Sequence, residues 1–286
     1  MLCHSNYLQS RSIPTFLVTI SLLAAVGCEK STDVQRLRLA TATSTRDSGL
    51  LDQILPKFEQ QHDMRVEVIA TGTGRAIKLG EAGDVDVLLV HAREAEQAFL
   101  AAGHGVRREA MMKNQFELVG PADDPAEVRG KQIVAALKKI ASDKAKFVSR
   151  GDQSGTHLRE LKFWQQLDLQ PTWDNYIQTG QGMGATLMIA EQMKAYTLVD
   201  RATYLKFREK IDLQPLIPQS DLLENPYSVL VVDSRKHSSV RANLAQQFAS
   251  YLIAPETQQL IADYQIDGQP LFVPLRLPSS SDPQVK

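Results

Sequence analysis

The sequence predicts an α/β fold of largely parallel sheets, divided into two domains that face each other across a hinged cleft. Three observations carry this. From Arg36 onward, short apolar runs alternate with amphipathic helical stretches, the pattern of strands fed into covering helices. Where strands would feed helices, after Leu39, Ala70, Ser149 and Gln178, the chain places Thr, Ser, Gly or Arg. In an open parallel sheet such junctions gather at the carboxyl edge, where ligands bind. The pattern also passes from one domain to the other and back, near residues 119 and 227.

Taken in order, residues 37–40 alternate as a strand, and Leu50, Leu51, Ile54, Leu55 and Phe58 make a helical stripe, with a hydroxyl-rich turn over 41–49 between them. Residues 65–70 form the second strand, followed by Thr71-Gly72-Thr73-Gly74 and a helix through Ala76, Ile77 and Leu79. Residues 86–91 read as a buried parallel-type strand and 94–102 as a helix. A strand over 115–120 leads to the first crossing. Beyond it come a helix over 126–140, a strand over 147–149, a helix over 156–167 and a strand near 175–178. The glycine-rich turn 179–184 opens a helix over 185–193. A strand over 195–199, Asp200 as a helix cap and a short helix over 201–208 complete this part. The strand 228–232 returns to the first domain, which a long helix marked by Val240, Leu244, Phe248, Tyr251 and Leu252 covers; Pro255 caps the next helix. The domains are therefore 36–119 with 228–277 for lobe I and 120–227 for lobe II, and 278–286 reads as a disordered tail.

The first 28 residues differ from the rest. Arg11 precedes an apolar run over 13–26 that ends in Gly27-Cys28, too short for a comfortable membrane span and typical of a secretory signal. Small residues before a cysteine also resemble a bacterial lipoprotein cleavage site, although Ala25 stands where that pattern usually has Leu. The expectation is a lipidated Cys28 followed by a polar linker over 29–35; the alternative is an ordinary signal peptide that leaves Cys28 a free thiol. The other cysteine, Cys3, leaves with the signal, so the mature chain has no intrachain disulfide. With 43% hydrophobic and 23% charged residues the composition is that of a globular protein with a full core. A formal net charge of −1 excludes the basic excess of a nucleic-acid binder, so any anion affinity must come from local geometry.

The richest local geometry lies in residues 147–157, FVSRGDQSGTH. A strand end, one arginine and then Ser154-Gly155-Thr156 open a helix whose first backbone N–H groups have no intrahelical partner and lie at the positive end of the helix dipole. Arg150 adds a fixed charge with a fork of donors. The bland account makes Ser154 an N-cap and Arg150 a surface charge; the recurrence of similar junctions along the chain argues for an anion site. Enzymatic motifs are missing from the sequence. The histidines at 62, 91, 104, 157 and 237 lack paired metal-ligand spacing, there is no CxxC, and no nucleophile elbow occurs. The stretch GTGRAIKLG has neither the ending of a Walker A loop nor the third glycine of a dinucleotide fingerprint. His157 is expected to be a solvated first-turn residue, and Asp47 and Asp152 to be caps or orienters of neighbouring arginines. A secreted hydrolase of small anionic esters and an anion-sensing module are the alternative classes.

The segments TATSTRDSGLLDQILPKFEQ, VIATGTGRAIKLGEAGDVDVLLVHAREAE, FVSRGDQSGTHLRELKFW, TGQGMGATL and YTLVDRATYL together resemble the substrate-binding protein of bacterial tungstate ABC uptake systems, over nearly the whole mature chain. The resemblance implies a type II periplasmic-binding-protein fold, two α/β lobes with two hinge crossings, which hands an oxyanion to a membrane permease. It implies that Thr43, Ser44, Thr73, Arg150, Ser154, Gly155 and Thr156 surround the ion, with no cofactor, no metal cation ligands and no catalytic residues. The family more often has TTTS where this chain has Ala42, one hydroxyl fewer. A monomer, touching the membrane only through a lipid anchor and the permease, suits such a shuttle. Tungstate and molybdate are tetrahedral dianions without a proton at neutral pH and need donors only, whereas a phosphate site benefits from a carboxylate acceptor. Asp47 or Asp152 could be that acceptor, so the preference for tungstate over molybdate or phosphate rests on the resemblance.

Overall fold

The apolar run of the first strand sets the architecture: Leu37 and Leu39 point to one face of a sheet and Ala40 to the other, and all three are buried. The structure, a computed structural model, describes residues 34–277. The signal segment, Cys28 and its lipidation, linker residues 29–33 and the tail 278–286 lie outside the described residues.

Strand β1 (Gln35–Ala42) is followed by α1 (Thr43–Asp47), α2 (Leu50–His62), β2 (Met64–Thr71), α3 (Thr73–Ala82), β3 (Val87–Val90) and α4 (Arg93–Ala101). The long strand β4 (Gly105–Gly120) leads into α5 (Ile133–Ser142), β5 (Phe147–Ser149), α6 (Gly155–Gln166), β6 (Tyr176–Gln178), α7 (Met183–Met193), β7 (Thr197–Asp200), α8 (Arg201–Phe207) and β8 (Gln214–Pro215). Strand β9 (Glu224–Val232) returns to α9 (Ala242–Ile253), α10 (Pro255–Asp263), β10 (Gln265–Ile266), β11 (Gln269–Pro270) and β12 (Val273–Pro274). The main sheet has the order β12-β4-β9-β3-β1-β2. Strand β1 is parallel to both β2 and β3, and β5 is parallel to β6. The antiparallel pairs come from β4, β9 and the short strands near the carboxyl end.

Strand β4 belongs to both lobes. Up to Gln115 it pairs with β9, and from Phe116 to Gly120 it pairs with β7 and β8. The alternation of its side chains divides the second core: Phe116 and Leu118 join Ile133, Leu137, Phe147 and Trp164 on one face, while Val119 joins Val148, Met183, Leu187 and Val199 on the other. The first lobe is built the same way, with Leu39, Phe58 and Phe248 on one face of its sheet and Ala40, Leu88 and Phe99 on the other. Truncating one such side chain to alanine costs about 2–5 kcal/mol, and Ala202 and Leu205 of α8 join the cluster of Leu39 and Phe248, so the two cores touch through that helix.

Several local expectations are corrected. The hydroxyl-rich stretch after β1 is not an open turn throughout: Thr41 and Ala42 extend the strand and Thr43–Asp47 is a short helix. The helix expected over 126–140 begins only at Ile133. The preceding turn has Asp124 and Glu127 at positive φ and Gly130 at φ 77, a conformation outside the right-handed helix. The Asp124 carboxylate fastens this turn by accepting from Tyr196 Oη at 2.7 Å and from the Arg129 N–H at 2.8 Å. Strand β4 starts ten residues before the expected 115, because its charged first half, RREAMMK, lacks the alternation that marks a strand. Pairing with β9, through register shifts at Gly105/Arg107 and Ala110/Met112, holds it extended.

Candidate functional site

The carboxyl ends of β1, β2, β5 and β6 feed the amino ends of α1, α3, α6 and α7. Their N-cap residues are Ala42, Gly72, Ser154 and Gly182. Only Ser154 of these uses a side chain, its Oγ accepting from the His157 N–H at 3.3 Å. The N–H groups of the other three first turns receive no such cap, which leaves these helix ends able to donate outward.

The lobes meet along these ends. A Cβ on Gly74, in the first turn of α3, would stand 3.5 Å from the carbonyl oxygen of Gln153, and one on Gly155 would overlap the His91 ring at the end of β3. On one flank Lys206 Nζ donates to the Asp47 carbonyl at 2.6 Å; on the other, Lys162 pairs with Glu94. Thr43 and Ser44 line a pocket together with Gly182, Met183 and Lys206.

The sequence-predicted residues occupy this seam. Thr43 and Ser44 open α1, Thr73 opens α3, and Ser154, Gly155 and Thr156 form the start of α6. Arg150 is only 5% exposed. Its Nη2 lies 3.0 Å from Asp152 Oδ2, and its Nε donates to the Gln181 carbonyl at 3.3 Å. Asp152 also accepts from the Ser154 N–H at 3.1 Å, so it orients the arginine and braces the loop. Asp47 is half exposed and pairs with Arg46 at 2.7 Å. Thr73 and Thr156 are each 1% exposed, and their hydroxyls find no hydrogen-bond partner among the described residues. A buried hydroxyl without a partner costs about 1–3 kcal/mol, and these two stand at the first turns of α3 and α6, which approach each other where Gly74 nears the Gln153 carbonyl.

His157 departs from the solvated first-turn residue expected of it. It is 3% exposed, and its Nδ1 accepts the Gln153 N–H at 3.1 Å, a bond that requires an unprotonated nitrogen. Burial, with a contribution from nearby Arg150, holds this imidazole below its ordinary value.

Sequence reasoning missed the support behind the site. His91 Nδ1 lies 2.8 Å from Asn225 Oδ1, and the Asn225 amide nitrogen donates to Asn114 Oδ1 at 2.8 Å and to Tyr227 Oη at 3.1 Å. This buried chain ties β3 to both crossing strands. No local signal pointed to it: Asn114 stands mid-strand between Lys113 and Gln115, and Asn225 between Glu224 and Pro226, surroundings that read as exposed. Among the described residues no group of His, Cys, Asp and Glu could hold a metal ion, and no helix is long and apolar enough to cross a membrane.

Comparison with known proteins bears on this geometry. Residues 29–256 match the model of the PBP superfamily domain. The tungstate-binding protein TupA of Peptoclostridium acidaminophilum is 41% identical over 272 residues, which cover 90% of this chain and 95% of the relative. The chain belongs to the TupA family of periplasmic binding proteins. Two solved structures agree. The tungstate ABC transporter protein from Geobacter sulfurreducens is 47% identical with a TM-score of 0.73, over 80% of this chain and 98% of that one. TupA from Desulfovibrio alaskensis G20 is 41% identical with a TM-score of 0.74, over 85% of this chain and all of the other. The two-lobed α/β fold is thus the fold of this family, and its members are binding components of transporters.

Proposed function

We propose that the chain captures a tetrahedral oxyanion, tungstate, outside the cytoplasm and delivers it to the permease of an ABC importer. The observation that carries this is the pair of buried hydroxyls of Thr73 and Thr156, without a partner among the described residues, at approaching helix ends, with the buried Arg150 in the loop that precedes α6. A dianion removed from water needs several hydrogen bonds and a compensating positive charge, and these groups supply them. Gly155 and Thr156 add backbone donors, Ser154 adds its hydroxyl because its N–H is held by Asp152, and Thr43 and Ser44 approach from the first lobe. Both loop carboxylates are occupied, Asp152 by Arg150 and Asp47 by Arg46, which supports a ring of donors suited to an anion carrying no proton. The names of the relatives support tungstate, with molybdate as the second reading because its charge and shape are the same. The signal segment and Cys28 support an envelope location with a lipid anchor, and the transporter-component names of the relatives support a binding role.

The decisive experiment is calorimetric titration of the wild-type chain and Arg150→Ala with tungstate, followed by competition with molybdate, phosphate and sulfate. The wild type should bind tungstate tightly, and Arg150→Ala should lose high-affinity binding with an unchanged circular dichroism spectrum. Near-normal affinity in that variant would remove Arg150 from the site.

A further inference from the structure

We infer that His91 is the stop against which the second lobe closes, and that position 155 lacks a side chain for that closure and not for the helix. This rests on the oxyanion-binding reading above and adds to it a positioning residue for the closed state.

Gly155 is the first residue of α6 and does not have a positive φ, so its backbone conformation is open to any L residue. What excludes a side chain is space. A Cβ there would lie 2.5 Å from His91 Cε1, 2.7 Å from Nδ1 and 2.9 Å from Nε2, inside any real contact distance. Gly74, which also faces the opposite lobe, has ordinary room for a Cβ, so the restriction is particular to this contact.

The imidazole cannot step aside. One face stacks on Tyr227, with ring centroids 4.7 Å apart and an interplanar angle of 21°. Its Nδ1 is held at 2.8 Å from Asn225 Oδ1. The Asn225 amide nitrogen spends its hydrogens on Asn114 and Tyr227, which leaves the amide oxygen as an acceptor and therefore puts the ring proton on Nδ1. Asn114 lies on β4, and Asn225 and Tyr227 lie on β9, the strands that run between the lobes. The ring is thus fastened to the crossing strands on one side and receives the helix end on the other. Seating α6 on it sets how near the N–H groups of Gly155 and Thr156 come to Thr73 and Thr43. With alanine at 155 the lobes would stop short, each lobe remaining intact.

The test uses the full chain, tungstate as probe, calorimetry for affinity and small-angle scattering for closure. Gly155→Ala should bind at least 100-fold more weakly, keep its ligand-free melting temperature, and fail to contract when tungstate is added. Gly155→Ala combined with His91→Ala should recover at least tenfold of that loss; if the alanine variant does not fold, His91→Ser provides similar space. Wild-type affinity in Gly155→Ala, or a double variant no tighter than the single, overturns the inference while the oxyanion reading stands. A wild-type chain that binds no tungstate overturns that reading and this inference with it.

Discussion

Replacing Glu160 with glutamine should alter how the stability of this protein depends on pH, and the size of the change follows from its surroundings. Glu160 lies on α6 one turn beyond Thr156 and is 1% exposed. Trp164 Nε1 donates to its Oε1 at 3.0 Å and Tyr176 Oη donates to the same atom at 2.6 Å. Burial pushes the carboxyl from the ordinary 4.5 up to about 7, against the opposing pull of those hydrogen bonds. A group whose folded value is raised favours the folded state below its unfolded value and loses that contribution as pH rises through the folded value. Here the window runs from about 4.5 to about 7. At about 1.4 kcal/mol per pH unit the full loss is about 3.5 kcal/mol, of which about 3 kcal/mol falls between pH 4.5 and pH 8. Glutamine keeps an acceptor for both donors and does not ionise. The melting temperature of Glu160→Gln should therefore gain on the wild type by roughly 6–12 °C between pH 4.5 and pH 8, taking about 2–4 °C per kcal/mol for a protein of this size. His91 and His157, both held low by burial, destabilise the fold as pH falls below their ordinary value, but they do so in both proteins and cancel in the difference. Scanning calorimetry across that range is the assay. A difference that stays constant with pH would refute the account of Glu160 as a carboxyl kept out of water behind the anion loop.

Two further outcomes probe the site and its support. Thr73→Val and Thr156→Val should each weaken tungstate binding by about 1–3 kcal/mol while leaving the ligand-free melting temperature unchanged or higher, because a hydroxyl without a partner is removed from a buried place. Calorimetry with thermal denaturation checks both halves, and a fall in ligand-free stability would argue for a purely structural role. Asn225→Leu removes the acceptor of His91 and the donor to Asn114; it should cost about 2–4 kcal/mol of stability by urea titration, and a neutral result would dissociate that chain from the hinge.

Much of the fold was legible because its signals are local. The apolar runs of β1, β3, β5 and β9, and the stripes of α2 and α9, reflect periodicities that burial imposes on any sheet covered by helices. The Arg150 to Thr156 loop was legible for the same reason: a strand end, an arginine and a Ser-Gly-Thr helix start are adjacent in the chain. Other features resisted reading because distant segments decide them. The turn over 122–131 is held by Tyr196, some seventy residues away, and the first half of β4 by β9. His157 looked solvated since nothing in its neighbours along the chain shows that the Gln153 N–H folds back onto its ring.

The sequence by itself determined which residues could donate to an anion and at which strand ends they stand. Only the tertiary structure decided that Thr73 and Thr156 are buried on opposing helix ends without partners among the described residues, that Asp152 is committed to Arg150, and that Gly155 meets His91. The physical reason is that donor chemistry belongs to a residue and its immediate neighbours. Burial, pairing and the space for a methyl group are set by segments that come together only when two lobes, threaded by β4 and β9, have folded.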